Sequence, residues 1–247
     1  MTAPFVEVVD LTMGWGDTVL QENASFQVER GDIFVILGGS GSGKSTMLRY
    51  LIGLETPLSG IVRVDGSIPE SSEVGRPAFG VMFQSGALLG SMTVGENIAL
   101  PLETWTELPE EAVLAIVEAK LRMVGLQGTE DKMPSELSGG MKKRAAIARA
   151  MALEPELVFL DEPSAGLDPV TAYELDELII TLNEKLGMTI VIVTHDLESI
   201  FRVAKRCILL DKKSKSIIAR GNPRELRQSS DDPRVKAFFN RTSEARS

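Results

Sequence analysis

The 247-residue chain is short of several things, and each shortage excludes something. It has one cysteine, Cys207. A lone cysteine closes no internal disulfide, which suits a reducing compartment. Cys207 stands in the apolar run Cys207-Ile208-Leu209-Leu210 and reads as a small buried hydrophobe. No apolar run approaches the ~20 residues that a membrane helix needs. Met1 to Asp10 carries neither a basic stretch nor an apolar one, so no signal peptide is expected. Work at a membrane would then be done from the cytoplasmic side, through another subunit. Basic side chains are in deficit, 26 against 35 acidic ones, for a formal net charge of −9. That balance argues against a nucleic-acid partner. Histidine occurs once, at His195.

What is present is an ordinary globular composition, 43% hydrophobic and 25% charged, enough for one large α/β domain or two small ones. Short apolar runs predict strands at Val6 to Leu11, Ala24 to Val28, Ile33 to Leu37, Ile61 to Val64 and Phe79 to Phe83. Leu157 to Leu160 and Thr189 to Val193 have the unbroken apolar pattern of strands buried on both faces. One helix is predicted from Pro109, placed at the first helical position, to Val124, with a stop at Gly125. Another runs from about Pro169 to Leu186 and stops at Gly187. Between Ser91 and Met151 no strand is predicted, which suggests a helical insert of about sixty residues in an α/β core. There is no internal repeat, and the polar end, Thr242 to Ser247, is expected to fray.

The strongest local signal is Gly38-Gly39-Ser40-Gly41-Ser42-Gly43-Lys44-Ser45-Thr46. It matches the phosphate-binding pattern G-x-x-x-x-G-K-[ST] between a predicted strand and the helical run Met47 to Ile52. Glycines let successive backbone N–H groups converge on an anion, and a helix N-terminus adds positive potential. Lys44 would neutralise the β- and γ-phosphates, and Ser45 would offer its hydroxyl to Mg²⁺. A flexible Gly/Ser linker would not be flanked so tightly by core-grade hydrophobes. Leu157 to Leu160 runs into Asp161-Glu162, the pattern of a strand that delivers a metal-holding Asp161 and a water-activating Glu162.

With these motifs the sequence resembles the ATP-binding subunits of ABC transporters. Leu137-Ser138-Gly139-Gly140-Met141, followed by Lys142 to Ala150, is similar to the family signature, with Met141 in place of the usual Gln. Trp15-Gly16 resembles the loop whose aromatic ring stacks on adenine, although a Trp packed on the core would read the same. Gln84 resembles the Q-loop glutamine, Ser164 to Asp168 the D-loop, and Thr194-His195-Asp196 the H-switch. A P-loop alone would also admit kinases and GTPases; the ordered set narrows the resemblance to this superfamily. It implies a P-loop NTPase (RecA-like) core with an antiparallel β subdomain and an inserted α-helical subdomain at about 88–152. The whole, residues 1–247, would be a single ATPase domain with a short C-terminal tail at about 229–247.

The resemblance also implies ATP and Mg²⁺ as cofactors. Lys44, Gln84, Glu162 and His195 would be catalytic. Nucleotide would contact Trp15, Gly38 to Thr46, Gln84, Ser138, Gly139, Gly140 and Asp168. The metal would take Ser45, Gln84 and Asp161. Two copies would bind head to tail, each ATP lying between one chain's P-loop and the other's Ser138-Gly139-Gly140. Phe83 to Leu89, Met133 to Glu136 and Asp232 to Phe239 resemble the ATPases of Mla/Mce-type lipid transport systems. That implies a place on the inner face of a bacterial inner membrane. The expected partners are an integral membrane permease, a periplasmic lipid-binding Mce-type protein and a small cytoplasmic accessory protein. An importer of small polar solutes such as amino acids is the alternative, followed by a non-transport ABC ATPase. Leu88, Leu89, Met92 and Val94 either line a groove for a permease helix or form the insert's own core.

Overall fold

Apolar residues at Val6 and Val8 alternate with Glu7, and Leu11 and Met13 resume the inward set after a slip of one residue at Asp10. Asp10 has φ 48 and sits at a register shift, so a bulge moves the buried set from even to odd positions. This strand, β1 (Val6–Trp15), pairs antiparallel with β2 (Thr18–Val28) and β4 (Ser59–Val64) in the order β2-β1-β4. β2 starts well before the predicted Ala24, because antiparallel pairing carries the polar stretch Gln21-Glu22-Asn23 along with it.

The computed structural model describes residues 3–16, 18–69 and 76–240, and the chain divides into two compact units. The first takes in residues 1–74 and 189–247. Besides the antiparallel sheet it holds β3 (Ile33–Gly38), flanked by parallel β7 (Thr189–Val193) and parallel β8 (Arg206–Asp211). All residues of β3 and β7 are buried, as unbroken apolar runs predict. β9 (Ser216–Gly221) closes that edge antiparallel to β8. Neither β8 nor β9 is predicted as a strand from sequence. α1 (Lys44–Leu51) follows β3, α6 (Leu197–Val203) follows β7, and α7 (Pro223–Ser229) and α8 (Pro233–Asn240) end the unit. Phe239 of α8 is buried with its ring 5.8 Å from Phe201 of α6.

The second unit spans 75–188. Its strands β5 (Gly80–Met82) and β6 (Leu157–Asp161) are parallel, and Phe79 meets Phe159 edge to face at 5.2 Å. The stretch predicted to lack strands is helical: α2 (Val94–Trp105), α3 (Glu110–Met123), a 3-10 turn at Pro134–Glu136 and α4 (Gly139–Ala150). Thr93 and Glu96 form a reciprocal capping box that starts α2. Pro109 caps α3 with extended backbone, ψ 153, so the helix begins one residue later than predicted. α5 (Pro169–Leu186) starts under an Asp168 cap and stops at left-handed Gly187, as its sequence predicts. Thr242 to Ser247 lies outside the described residues. Among the described residues no helix is long and apolar enough to cross a membrane.

Candidate active site

In the first unit, β3 runs straight into the loop Gly38–Gly43, and Lys44, Ser45 and Thr46 open α1. Gly43 has φ 94, and a Cβ there would lie 2.6 Å from Met13 Cε. A Cβ on Gly38 would lie 2.2 Å from Ser42 Oγ. Gly43 is required by its left-handed φ, and Gly38 by the Leu210 carbonyl oxygen, which would lie 2.8 Å from its Cβ. Lys44 Nζ donates to Gly38 O at 3.0 Å and Gly39 O at 3.1 Å. The cation is thus stationed over the loop's mouth, next to the N-terminus of α1, where an anion is favoured. Behind the loop, buried Gln21 of β2 donates through Nε2 to Ser42 O at 3.0 Å and to Asp211 O at 3.1 Å. Sequence pattern offers no signal for that tie, since a polar residue in a strand ordinarily reads as solvent-facing.

Two other predicted residues lie in this unit. Trp15 is half exposed at the end of β1. Its neighbour Gly14 is pinned to α1, with Tyr50 Oη donating to Gly14 O at 3.0 Å and accepting from Gly14 N at 3.2 Å. Half of the indole surface is thus open to solvent, next to a backbone held against α1. His195 is exposed two residues past β7. Ile36 pairs with Val193, so the parallel strands β3 and β7 deliver the phosphate loop and His195 to the same sheet edge. That edge, at the carboxyl ends of parallel strands, is where open α/β sheets bind ligands.

In the second unit β6 ends at Asp161, and Asp161 and Glu162 are both buried. Extended-strand alternation would point these two carboxylates to opposite sides, but the chain leaves the strand here. Glu162 has φ 48, the left-handed region, so a turn sets its direction. A non-glycine residue held there stores of order 1–3 kcal/mol of strain. Its carbonyl accepts from Lys143 Nζ at 3.2 Å, and the same ammonium makes a short hydrogen bond to Gln84 O. Burial pulls the Lys143 ammonium below the usual lysine range, opposed by the charges of Asp161 and Glu162. Arg149, on the same helix, donates to Ala87 O at 2.7 Å and Gly86 O at 3.0 Å. Phe83, Gln84, Ser85, Asp161, Ala165 and Gly166 line an open depression of about 550 Å³.

The profile of the ABC transporter family matches residues 21–165, which takes in the Lys44 loop, Ser138 to Gly140 and Asp161-Glu162. The chain belongs to the ABC transporter family. It is 43% identical over 243 residues to the Escherichia coli "Intermembrane phospholipid transport system ATP-binding protein MlaF", covering 96% of this chain and 89% of that one. It is 41% identical over 241 residues to a Mycobacterium leprae protein named "Probable ribonucleotide transport ATP-binding protein mkl", covering 95% of this chain and 68% of that one. Among solved structures it is similar to cbiO1 of Clostridium perfringens, part of the ABC transporter complex cbiONQ. There the TM-score is 0.82 at 31% identity, over 91% of this chain and 90% of that one. It is also similar to the dimeric ATP-binding cassette MJ0796 in a post-hydrolysis state bound to ADP and Pi. That match has a TM-score of 0.76 at 29% identity, over 88% of this chain and 98% of that one. The fold is thus the ABC cassette: a P-loop NTPase core with an antiparallel β subdomain and a helical insert. The enzyme is an ATPase.

The segment that resembles the family signature opens α4. Ser138 is its N-cap, accepting from Met141 N at 3.3 Å, and Gly139 and Gly140 form its first turn. A Cβ on Gly140 would lie 2.3 Å from Thr171 Cγ2 of α5, whereas one on Gly139 would make ordinary contact with Leu167 at 3.5 Å. Packing within the chain therefore demands glycine at 140 and not at 139. Asp168 caps α5 by accepting from Val170 N and Thr171 N, each at 3.1 Å, and its bond from the Thr171 hydroxyl holds its carboxyl below the usual range. Of the residues expected to line a groove, Leu89 is exposed, Leu88 and Met92 are half-buried, and Val94 belongs to the core. Buried Asn97 shapes this segment: it accepts from Leu89 N at 2.7 Å and donates to Leu89 O, Met92 O and Thr93 O. Asn97, Gln21, Lys143 and Arg149 all escape a pattern-based reading.

Proposed function

We propose that this chain is the ATP-hydrolysing subunit of a bacterial transporter that moves phospholipids or related lipids across the cell envelope. The observation that carries the hydrolytic part is Lys44, fixed by two loop carbonyls over a glycine cradle at a helix N-terminus. On this reading Gly38 to Thr46 hold the phosphates, Trp15 stacks on adenine, and His195 and Lys44 donate to phosphate oxygens. Glu162 orients and deprotonates the attacking water. The hydroxyl of Ser45, the side-chain oxygen of Gln84 and the carboxylate of Asp161 are hard oxygen donors of the kind Mg²⁺ takes. Among the described residues no group of three or more His, Cys, Asp or Glu could hold a metal by itself. Bound by those three oxygens, Mg²⁺ offsets charge on the phosphates.

One chain carries one P-loop and one signature, so complete sites require a second copy, with Ser138, Gly139, Gly140 and Asp168 facing the other chain's nucleotide. The similarity to MlaF over nearly the whole chain supports lipid as cargo and the inner face of the inner membrane as location. It likewise supports a permease, an Mce-type periplasmic protein and a small accessory protein as partners.

The test of hydrolysis is Lys44→Ala in the full chain. Hydrolysis should fall to background while the melting temperature stays within about 2 °C, since the loop carbonyls that Lys44 bonds at Gly38 and Gly39 lie at the exposed mouth of the loop, where water can replace the ammonium. Near-normal turnover would place the phosphates elsewhere. The mycobacterial name favours ribonucleotides instead, so the cargo test is transport by the complex purified in mild detergent and reconstituted into sealed lipid vesicles. Movement of labelled phospholipid supports the lipid reading, and movement of a labelled ribonucleotide replaces it.

A further inference from the structure

The signature helix does more than present Ser138 at its N-terminus. Its first two turns send a buried ammonium to two backbone carbonyls that are distant in sequence: Gln84 O, in the loop after β5, and Glu162 O, after β6. Both carbonyls belong to residues whose side chains the proposed reaction uses. Neither segment is regular structure. Glu162 sits in a strained turn with φ 48, and the Gln84 loop reaches another left-handed residue at Ala87, φ 49. Segments of this kind relax unless something over-determines them. A charged donor shared between the two carbonyls does so, because charge-assisted hydrogen bonds are strong and a buried ammonium is costly to leave without them.

We propose that Lys143 is a positioning residue that locks the Glu162 turn and the Gln84 loop into one arrangement, so that a shift of the loop moves the proposed base. Lys143 touches neither nucleotide nor water in this scheme; it acts through the backbone of Glu162. The chemistry at Glu162 rests on the ATPase reading above, but the geometry of the lock does not. Arg149 supplies an internal comparison. It grips Gly86 and Ala87 of the same loop without reaching Glu162.

The experiment compares Lys143→Met, Lys143→Arg and Arg149→Gln in the full chain by amide hydrogen exchange without nucleotide and by steady-state ATP hydrolysis. For Lys143→Met, exchange over residues 83–87 and 161–166 should quicken together by about tenfold, while the protection of α3 and α5 is unchanged. Its kcat should fall about ten- to a hundredfold with KM for ATP within about twofold, because the base is displaced and the phosphate cradle is not. Lys143→Arg keeps a multi-donor cation and should recover most of both. Arg149→Gln should loosen 83–87 and leave 161–166 protected.

If Lys143→Met leaves both segments protected, or loosens the whole second unit, the lock does not exist. If exchange behaves as stated while kcat holds, the two segments are joined but Glu162 is not positioned by the joint, and the proposal fails on that arm. A wild-type chain without hydrolysis above Lys44→Ala would overturn the ATPase reading instead, and the exchange pattern would still decide the lock. Should Lys143→Met not fold, Lys143→Gln, which keeps an N–H donor without charge, carries the same comparison.

Discussion

Cys207 Sγ donates to Gly221 O at 3.3 Å inside the β8–β9 pair, and burial pushes its thiol up to about 12. With the pKa raised, the thiol form holds throughout the neutral range, and the thiolate at pH 8 is about one part in ten thousand. Iodoacetamide at pH 8 should therefore leave the folded protein unlabelled and modify it once denatured; fast labelling of the folded chain would mean that β8 and β9 separate. Trp15 is the opposite case, an aromatic left half exposed on a rigid mount at Gly14. Stacking on a base is worth roughly 1–3 kcal/mol, so Trp15→Ala should weaken ATP binding about tenfold with little change in turnover at saturation. Unchanged affinity together with a lower melting temperature would mark Trp15 as a packing residue. The side chains named by motif were legible because loop phosphate chemistry restricts residue type. Gln21, Asn97 and Lys143 were not, because a buried polar residue declares itself only through its partners, which lie 21, 5 and 59 residues away along the chain.

At the scale of elements, what could be read depended on whether burial was symmetric. β3, β6 and β7 are buried along their full length and stand out as apolar runs. β9 is at an edge, half-buried almost throughout, and has no alternation to find. β8 carries the run Cys207 to Leu210 but needs β3 and β9 beside it before it reads as a strand. The junction of α4 with α5 supplies a sharper prediction. Thr171 is β-branched and its hydroxyl is tied to Asp168, so its methyl cannot easily swing away from position 140. Gly140→Ala should destabilise the protein by about 1–3 kcal/mol through overpacking. Gly139→Ala, with ordinary contact to Leu167, should unfold at the wild-type temperature or slightly above it, since Ala favours a helix. If Gly139 faces the other copy's nucleotide, this well-folded variant should still lose most of its hydrolysis. Chemical denaturation beside a turnover assay separates the two effects, and equal stability of both variants would contradict the packing argument.

For the whole molecule the decisive fact is a count: one chain has one Lys44 loop and one Ser138-Gly139-Gly140 helix start. On the proposed reading neither nucleotide site is complete in a single copy, so ATP acts as the joint between copies and its hydrolysis undoes the joint. Asp161 and Glu162 then have separable consequences. Glu162→Gln preserves shape and removes the base, which typically costs about 10²–10⁴ in rate. Lys44, Ser45 and Asp161 remain, so nucleotide still binds and the copies stay clamped on unhydrolysed ATP. Asp161→Asn removes a proposed metal ligand and should weaken Mg²⁺-dependent binding before any clamp forms. Light scattering after gel filtration with Mg²⁺ and ATP should give a dimer for Glu162→Gln and a monomer for Asp161→Asn, with the contrast strongest in the assembled transporter. Both variants are buried carboxylate-to-amide changes of equal size, so a general loss of stability would affect them alike. Wild-type hydrolysis by Glu162→Gln, or a dimer from both variants, would reverse the assignment of base and metal ligand.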